Sequence, residues 1–209
     1  MFLPAPGADF ENAPAGTHLA ICTRIIDLGT QASHFSGKET FKHKIMLTWE
    51  LPDEKMKDGR PFTISQRYTW SCDKKANLRK HLEGWRGKAF EEKDFGPGGF
   101  NIQKILGLGC VLTISHSEND GKVYANVTSV GKLMKGMSVP PHPLNELVYL
   151  WLSPDLWEPS VFHKLGQGLQ GVIMKSPEYA KVTGGKDEGL PPDDEYQHPT
   201  DIQDDPIPF

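Results

Sequence analysis

The sequence lacks the motifs on which metal and small-molecule chemistry usually depends. Its three cysteines, Cys22, Cys72 and Cys110, are widely spaced without a CxxC pair, which favours reduced thiols over disulfides or a zinc site. The eight histidines form no HExxH motif or Cys/His cluster, and neither a GxxxxGK[ST] phosphate loop nor a GxSxG elbow is present. We therefore predict no enzymatic activity, no metal and no cofactor.

Long apolar runs are also missing from the chain. No stretch approaches the roughly 18 apolar residues that cross a bilayer. The N-terminal residues do not form a basic segment followed by an apolar one, so we expect no secretory signal, no membrane association and a cytoplasmic location. The 37% hydrophobic content, with five Trp and ten Phe, is nonetheless sufficient for a folded core. A length of 209 residues suits one domain with appendages.

Charge is distributed unevenly along the chain. Residues 182–209 contain eight acidic residues and one lysine, a net −7, whereas the whole chain carries −4, so the remainder is mildly basic at +3. This asymmetry is expected of a protein that handles polyanions, although a solvated surface with a solubilising tail would give the same numbers. From residue 183 onward the composition is rich in Gly, Pro, Asp and Glu, which predicts disorder.

Three strands are predicted in the first third of the chain, at 17–28, 40–51 and 61–71. The second alternates apolar and polar residues with a period of two, so it has one basic and polar face. The turn residues Lys57-Asp58-Gly59 join the second and third strands into a hairpin.

A helix and two further strands follow. Asp73 is a suitable cap for a helix over 74–86, in which apolar residues recur at helical spacing. Strands are predicted at 109–116 and 122–130, on either side of the turn Asn119-Asp120-Gly121. Three strands, a helix and two strands is the order of the OB-fold, a five-stranded Greek-key barrel, although other small β-barrels and α+β sheets also fit.

This reading predicts a mainly β protein with four regions. They are an N-terminal arm (1–16), an OB-fold barrel (17–132), a C-terminal extension of short helices packed on the barrel (133–182) and a disordered acidic tail (183–209).

Strands two and three carry both cations and aromatic rings. Single-stranded nucleic acid needs a positive groove for its backbone and rings on which bases stack, and OB-folds bind oligonucleotides on these strands. The basic residues of the predicted helix could extend such a groove, although a solvated helix face is the alternative. They are Lys74, Lys75, Arg79, Lys80 and Arg86. A solvated sheet face for the cations and core packing for the rings remain alternatives. The candidate residues are Arg24, Lys42, Lys44, Arg60, Arg67, Tyr68 and Trp70.

The C-terminal residues Asp204-Asp205-Pro206-Ile207-Pro208-Phe209 resemble the ends of bacterial and phage single-stranded DNA-binding proteins, in which several Asp precede Ile-Pro-Phe. Here Pro206 replaces one Asp. The segments 75–88, 104–107, 124–127 and 135–137, in that order, are similar to small phage and prophage proteins of OB type. The match lies in their order, since each segment alone is unspecific.

The resemblance implies a non-enzymatic protein that coats single-stranded DNA with little sequence preference during phage replication or recombination, in the host cytoplasm. It also implies a tip that recruits replication or recombination proteins, with its α-carboxylate meeting basic groups of the partner. The tip residues are Asp204, Asp205, Ile207, Pro208 and Phe209.

Two other functions stay open from the sequence. The barrel could be a protein-binding adaptor of the replication machinery, with the tail as its docking peptide. A DNA-processing enzyme is a third class, for which the sequence offers no ligand cluster. An edge strand or the segment 146–181 could build a homo-oligomer, but nothing in the sequence selects a dimer over a monomer.

Overall fold

The computed structural model describes residues 11–35 and 38–185, which form a mainly β protein with six strands and four short α-helices. The strands are β1 (Gly16–Phe35), β2 (Lys38–Lys55), β3 (Pro61–Thr69), β4 (Gly109–Asn119), β5 (Lys122–Gly131) and β6 (Val148–Leu150). The helices are α1 (Asn77–Arg86), α2 (Pro159–His163), α3 (Gln167–Met174) and α4 (Pro177–Val182). The predicted order of three strands, one helix and two strands is confirmed, and β6 is an addition.

All six strands belong to one sheet, which is not closed. The hydrogen-bonded path runs β3-β2-β1-β4-β5 with antiparallel pairs, and β6 adds to β1 in parallel. The predicted five-stranded OB-fold barrel is therefore not confirmed, because the sheet has six strands and β3 and β5 end the hydrogen-bonded path without pairing. Helix α1 contacts both of these end strands and buries Leu78, Leu82 and Trp85 in the core between them.

The hairpin of β1 and β2 is longer than the sequence pattern predicts. The polar stretch after Gly29 continues β1 instead of forming a loop, and it pairs with β2 through Thr30–His43 and Ala32–Phe41. The backbone N–H and C=O groups of this stretch are hydrogen-bonded to β2. Because its residues are polar, hydrophobic periodicity in the sequence does not predict this pairing. Register shifts at Cys22/Arg24 and Asp27/Gly29 mark irregularities along β1.

Two apolar cores lie on opposite faces of the sheet. The main core lies between one face of the sheet and α1, and Trp49 and Leu112 are among its fully buried residues. The second core lies between the other face of β1 and the segment from β6 to α4. Its buried residues are Ile26, Leu28, Leu150, Leu152, Phe162, Leu165, Ile173 and Tyr179. Strand β1 is therefore buried on both faces.

The connector between β5 and β6 is tied to the sheet by one buried carboxylate. Glu50 accepts hydrogen bonds from the backbone N–H of Leu144 (3.0 Å) and from the backbone and side-chain N–H groups of Asn145 (both 2.7 Å). A buried carboxylate needs such donors because an unpaired one carries a large desolvation cost. This anchor places β6 against β1.

Candidate nucleic-acid interface

Three of the predicted cations lie on one face of β2 and β3. Lys42 and Lys44 alternate on β2, Lys44 pairs with Thr69, and Arg67 pairs with Met46. Lys44 and Arg67 are therefore diagonal neighbours, with Cα atoms about 7–8 Å apart. The Lys44 ammonium donates to the Thr69 hydroxyl at 3.0 Å. We call Lys42, Lys44 and Arg67 the cationic face.

Two members of the cationic face have no acidic partner among the residues that the structure describes. Arg67 is exposed and Lys42 is half-buried. Within the described part of the chain neither side chain forms an ion pair or a hydrogen bond. Their charge is therefore available to an external anion.

The other two predicted cations lie apart from this group. Arg24, on β1 beside Val148, lines a separate cavity of about 100 Å³ together with Glu146 and Lys164. Arg60 lies in the turn before β3, where its guanidinium pairs with Asp58 at 2.6 Å. Ten residues of extended chain place Arg60 about 30 Å from the other end of β3. The structure does not bring Arg24 or Arg60 together with the cationic face.

Tyr68 is a core residue. It pairs with Ile45 and is 2% exposed, and its hydroxyl lies 2.8 Å from Nδ1 of His81. Burial raises the pKa of Tyr68 well above its ordinary value. Its ring is covered by the main core, so we leave Tyr68 out of the interface.

Trp70 lies in a group of rings that we call the aromatic shelf, formed by His43, Trp70, Tyr149 and Trp151. Trp70 is 39% exposed and meets Trp151 edge-on, with ring centroids 5.1 Å apart. Trp151 is nearly parallel to Tyr149 (6.1 Å, 6°) and to His43 (6.4 Å, 25°). Phe41, two residues before His43 on β2, is 68% exposed. The shelf thus offers aromatic surface beyond the end of the main core.

The shelf and the cationic face lie on opposite sides of the same two strands. The backbone N–H of Trp70 donates to the carbonyl of His43 at 2.7 Å, so these two side chains share a face, and residues one step along the strands point the other way. Strand β3 is an end of the hydrogen-bonded path, so its edge separates the shelf from the cationic face.

Two more lysines lie close in sequence to the shelf. Helix α1 begins at Asn77 instead of residue 74, so Lys74 and Lys75 belong to the loop that follows Trp70. Asp73 orders this loop by accepting the backbone N–H of Lys75 at 2.7 Å. Both lysines are exposed. They therefore add positive charge on the chain segment next to Trp70.

Sequence reasoning missed three members of the shelf. Tyr149 and Trp151 lie in the predicted extension and His43 lies in the predicted second strand, but the sequence pattern gave none of them a role in binding. The sequence signal that could have identified the shelf is the spacing of Tyr149 and Trp151. They are two residues apart, so they share one side of an extended segment. The parallel pairing of Tyr149 with Ile25 then places their side at the end of the main core.

A buried carboxylate, that of Asp27, binds His43 of the shelf and the backbone next to Trp151. Asp27 accepts hydrogen bonds from His43 Nε2 at 2.7 Å, from the backbone N–H of Gly29 at 2.8 Å and from that of Leu152 at 3.2 Å. Glu178 of α4 accepts the backbone N–H and hydroxyl of Thr30. One of its oxygens lies 3.8 Å from His43 Nδ1.

These contacts change the ionisation of His43. The hydrogen bond to Asp27 raises the pKa of His43 above 6.5, burial opposes this, and the negative charges of Asp27 and Glu178 add to the rise. Burial, followed by the charge of Asp27, raises the pKa of Tyr149, which keeps the phenol neutral. The shelf therefore has one titratable cation among neutral rings.

Within residues 11–35 and 38–185, no three His, Cys, Asp or Glu residues group as metal ligands, and no helix is long and apolar enough to span a bilayer. The predicted tip, from Asp204 to Phe209, lies outside the described residues. Comparisons of the sequence with models of known protein families and with curated proteins found no match.

Proposed function

We propose that this protein binds single-stranded DNA without catalysing a reaction, coating exposed strands during replication or recombination. The observation that carries the proposal is the aromatic shelf, with Trp70 exposed, beside a sheet edge that leads to Lys42 and Arg67. In the part of the chain that the structure describes, these two side chains have no partner. Stacking a base on an aromatic ring contributes about 1–3 kcal/mol and is tolerant of sequence. Duplex DNA keeps its bases stacked internally, so the shelf favours single strands.

In the proposed complex the bases stack on the rings of the shelf, and the phosphates pair with lysine and arginine side chains. Trp70 takes the first base, since it is the most exposed ring of the shelf. Lys74 and Lys75, in the following loop, meet the adjoining phosphates. The strand then crosses the β3 edge, where Arg67 and Lys44 continue the positive path.

The fold that we propose for this function is a partly open OB-fold. The strand path β3-β2-β1-β4-β5 and a helix between β3 and β4 support it, because these are the neighbours and the insertion expected of that barrel. Helix α1 replaces the missing β3–β5 pairing by contacting both strands.

The acidic tail recruits partners in this proposal. Ile207, Pro208 and Phe209 would bury apolar area in a partner's pocket, and Asp204 and Asp205 would steer the tip toward a basic surface. The same −7 tail competes with DNA for the cations of the body, because the two are tethered in one molecule.

The proposal predicts a specific effect of removing cations. The double variant Lys42→Gln/Arg67→Gln should bind oligo-dT more weakly, and the log–log salt slope should fall by about 0.7 for each lost phosphate contact. The matched control Lys57→Gln/Arg60→Gln removes the same charge from the distant turn and should keep the parental slope. Binding of labelled oligo-dT and of duplex of equal length is followed by fluorescence anisotropy from low to moderate salt.

Equal slopes in the two double variants would place the DNA elsewhere on the molecule. Failure of the parent protein to bind either oligo-dT or duplex at low salt would contradict the proposal.

One observation favours a protein-binding adaptor as the second candidate. The loop before β4 and the connector expose five large apolar side chains among the described residues, which is a feature of protein-docking surfaces. They are Leu108, Met134, Met137, Leu144 and Leu147, and Leu144 is 75% exposed. Absence of DNA binding together with capture of a protein partner would support this alternative.

A further inference from the structure

Trp151 is held from two directions by one pair of residues. Asp27 accepts the backbone N–H of Leu152, the residue that follows Trp151, and it also binds His43 Nε2. The His43 ring lies nearly parallel to the Trp151 ring at 6.4 Å. Asp27 and His43 therefore fix both the backbone and the ring of Trp151.

His43 faces a second carboxylate on its other side. Neutral histidine has one N–H, which Asp27 takes at 2.7 Å, so a bare Nδ1 would then face Glu178 at 3.8 Å. Protonated histidine instead directs one N–H toward each carboxylate. Protonation thus joins β1, β2 and α4 around the shelf.

The charged and titratable groups that face His43 come from three elements. They are Asp27 of β1, Glu178 of α4 and, through Asp27, Tyr149 of β6. Strand β3 contributes the uncharged ring of Trp70. Lys42 and Lys44 of its own strand point to the opposite face. Both ionised neighbours are therefore carboxylates that favour the imidazolium form.

We propose that His43 is a proton-linked positioning residue of the single-stranded DNA interface, which orders the Trp151 ring for base stacking when the imidazole is charged. This inference rests on the proposed function and adds to it a dependence on pH. The ordered, positively charged shelf binds a base and its phosphate more tightly than the neutral one.

The sign of the pH dependence follows from the contacts of His43. The hydrogen bond to Asp27 raises the pKa of His43 above 6.5. The imidazolium therefore predominates below pH 6.5 and is lost as the pH rises through the raised pKa. Affinity for oligo-dT should fall over that rise by about fivefold or more, the lower end of the coupling typical of two linked sites.

The test compares His43→Gln with the parent protein from pH 5.5 to 8.5. Glutamine can still donate to Asp27 but is neutral at every pH. His142→Gln is the matched control, because His142 is exposed on the connector and is not a member of the shelf. We expect the fall in oligo-dT affinity to disappear in His43→Gln and to persist in His142→Gln, as measured by fluorescence anisotropy at constant salt.

A second measurement needs no DNA. In NMR spectra the Trp151 indole N–H should shift along the same titration curve as His43 in the parent protein. It should stay unchanged with pH in His43→Gln. This separates ordering of the ring from a general loss of stability.

The outcomes distinguish the two proposals. Binding of oligo-dT with the same pH profile in His43→Gln and the parent, or a Trp151 signal that does not follow His43, would overturn the inference alone. No binding at any pH would overturn the proposed function, and the inference with it.

Discussion

At the residue scale, Gly29 controls how α4 approaches the sheet. It has φ of +67° next to the register shift in β1, a conformation that favours glycine. A Cβ at this position would lie 2.4 Å from both Cβ and Oγ of Ser176. The close approach brings Glu178 to Thr30 and to His43.

Gly29→Ala should therefore destabilise the protein by more than backbone strain alone. Left-handed conformations cost non-glycine residues about 1–3 kcal/mol, and the contact with Ser176 adds to this. Gly59→Ala is the control, since Gly59 also has positive φ (+84°) but has nothing within 4 Å of the added Cβ. Urea unfolding measures both variants, and equal losses of stability would show that α4 does not pack closely on β1.

At the element scale, the helices after β6 form a layer that packs on the sheet. Ile173 of α3 is fully buried in the second core, which also contains Ile26 and Leu28 of β1. Since β1 contributes to both cores, disruption of one core should destabilise the other. We expect one cooperative unfolding transition for residues 11–185.

Ile173→Ala tests this coupling. Truncation of a buried Ile costs about 2–5 kcal/mol through lost burial and the remaining cavity. Leu156→Ala is the control, because Leu156 is 48% exposed and surface changes stay within about 0.5 kcal/mol. Unfolding is followed by far-UV circular dichroism and by tryptophan fluorescence. Two separate transitions in the parent, or no loss of stability for Ile173→Ala, would contradict a shared fold.

The sequence predicted the strands and turns that have a local signal, and it missed those that depend on pairing with a distant part of the chain. The alternation over 40–51 and the turn at Asn119-Asp120-Gly121 gave β2 and the β4–β5 hairpin, because both signals are local. Strand β6 has only three residues and is defined by its pairing with β1, so no local sequence pattern predicts it. The continuation of β1 beyond Gly29 likewise depends on backbone pairing of polar residues.

The candidate site was predictable only in part, for a similar reason. Charge and alternation identified Lys42 and Lys44, and placed them on a common face. The burial of Tyr68 and the exposure of Trp70 depend on where the main core ends, since both side chains share one face of β3. The meeting of Trp70 with Trp151 joins distant parts of the chain through β6, so it required the three-dimensional fold.

At the scale of the whole molecule, one open sheet separates the aromatic shelf from the cationic face. The face that carries the main core ends in the aromatic shelf. The other face carries Lys42 and Arg67, whose side chains have no partner among the described residues, beside a helical layer. The β3 edge is the route between them in our account. The −7 segment after residue 185 opposes the basic body in charge, so salt should weaken both the tail's competition and DNA binding.

The most direct measurement of the central claim is the quenching of tryptophan fluorescence by oligo-dT. Of the five Trp, Trp49 and Trp85 lie in the main core, whereas Trp70 and Trp151 form part of the shelf. The account predicts strong quenching of the parent protein by oligo-dT and little by duplex. It predicts that Trp70→Phe/Trp151→Phe loses this quenching while the control Trp157→Phe retains it. Quenching that persists unchanged in the double variant, or that duplex produces equally well, would contradict stacking of single-stranded bases on the shelf.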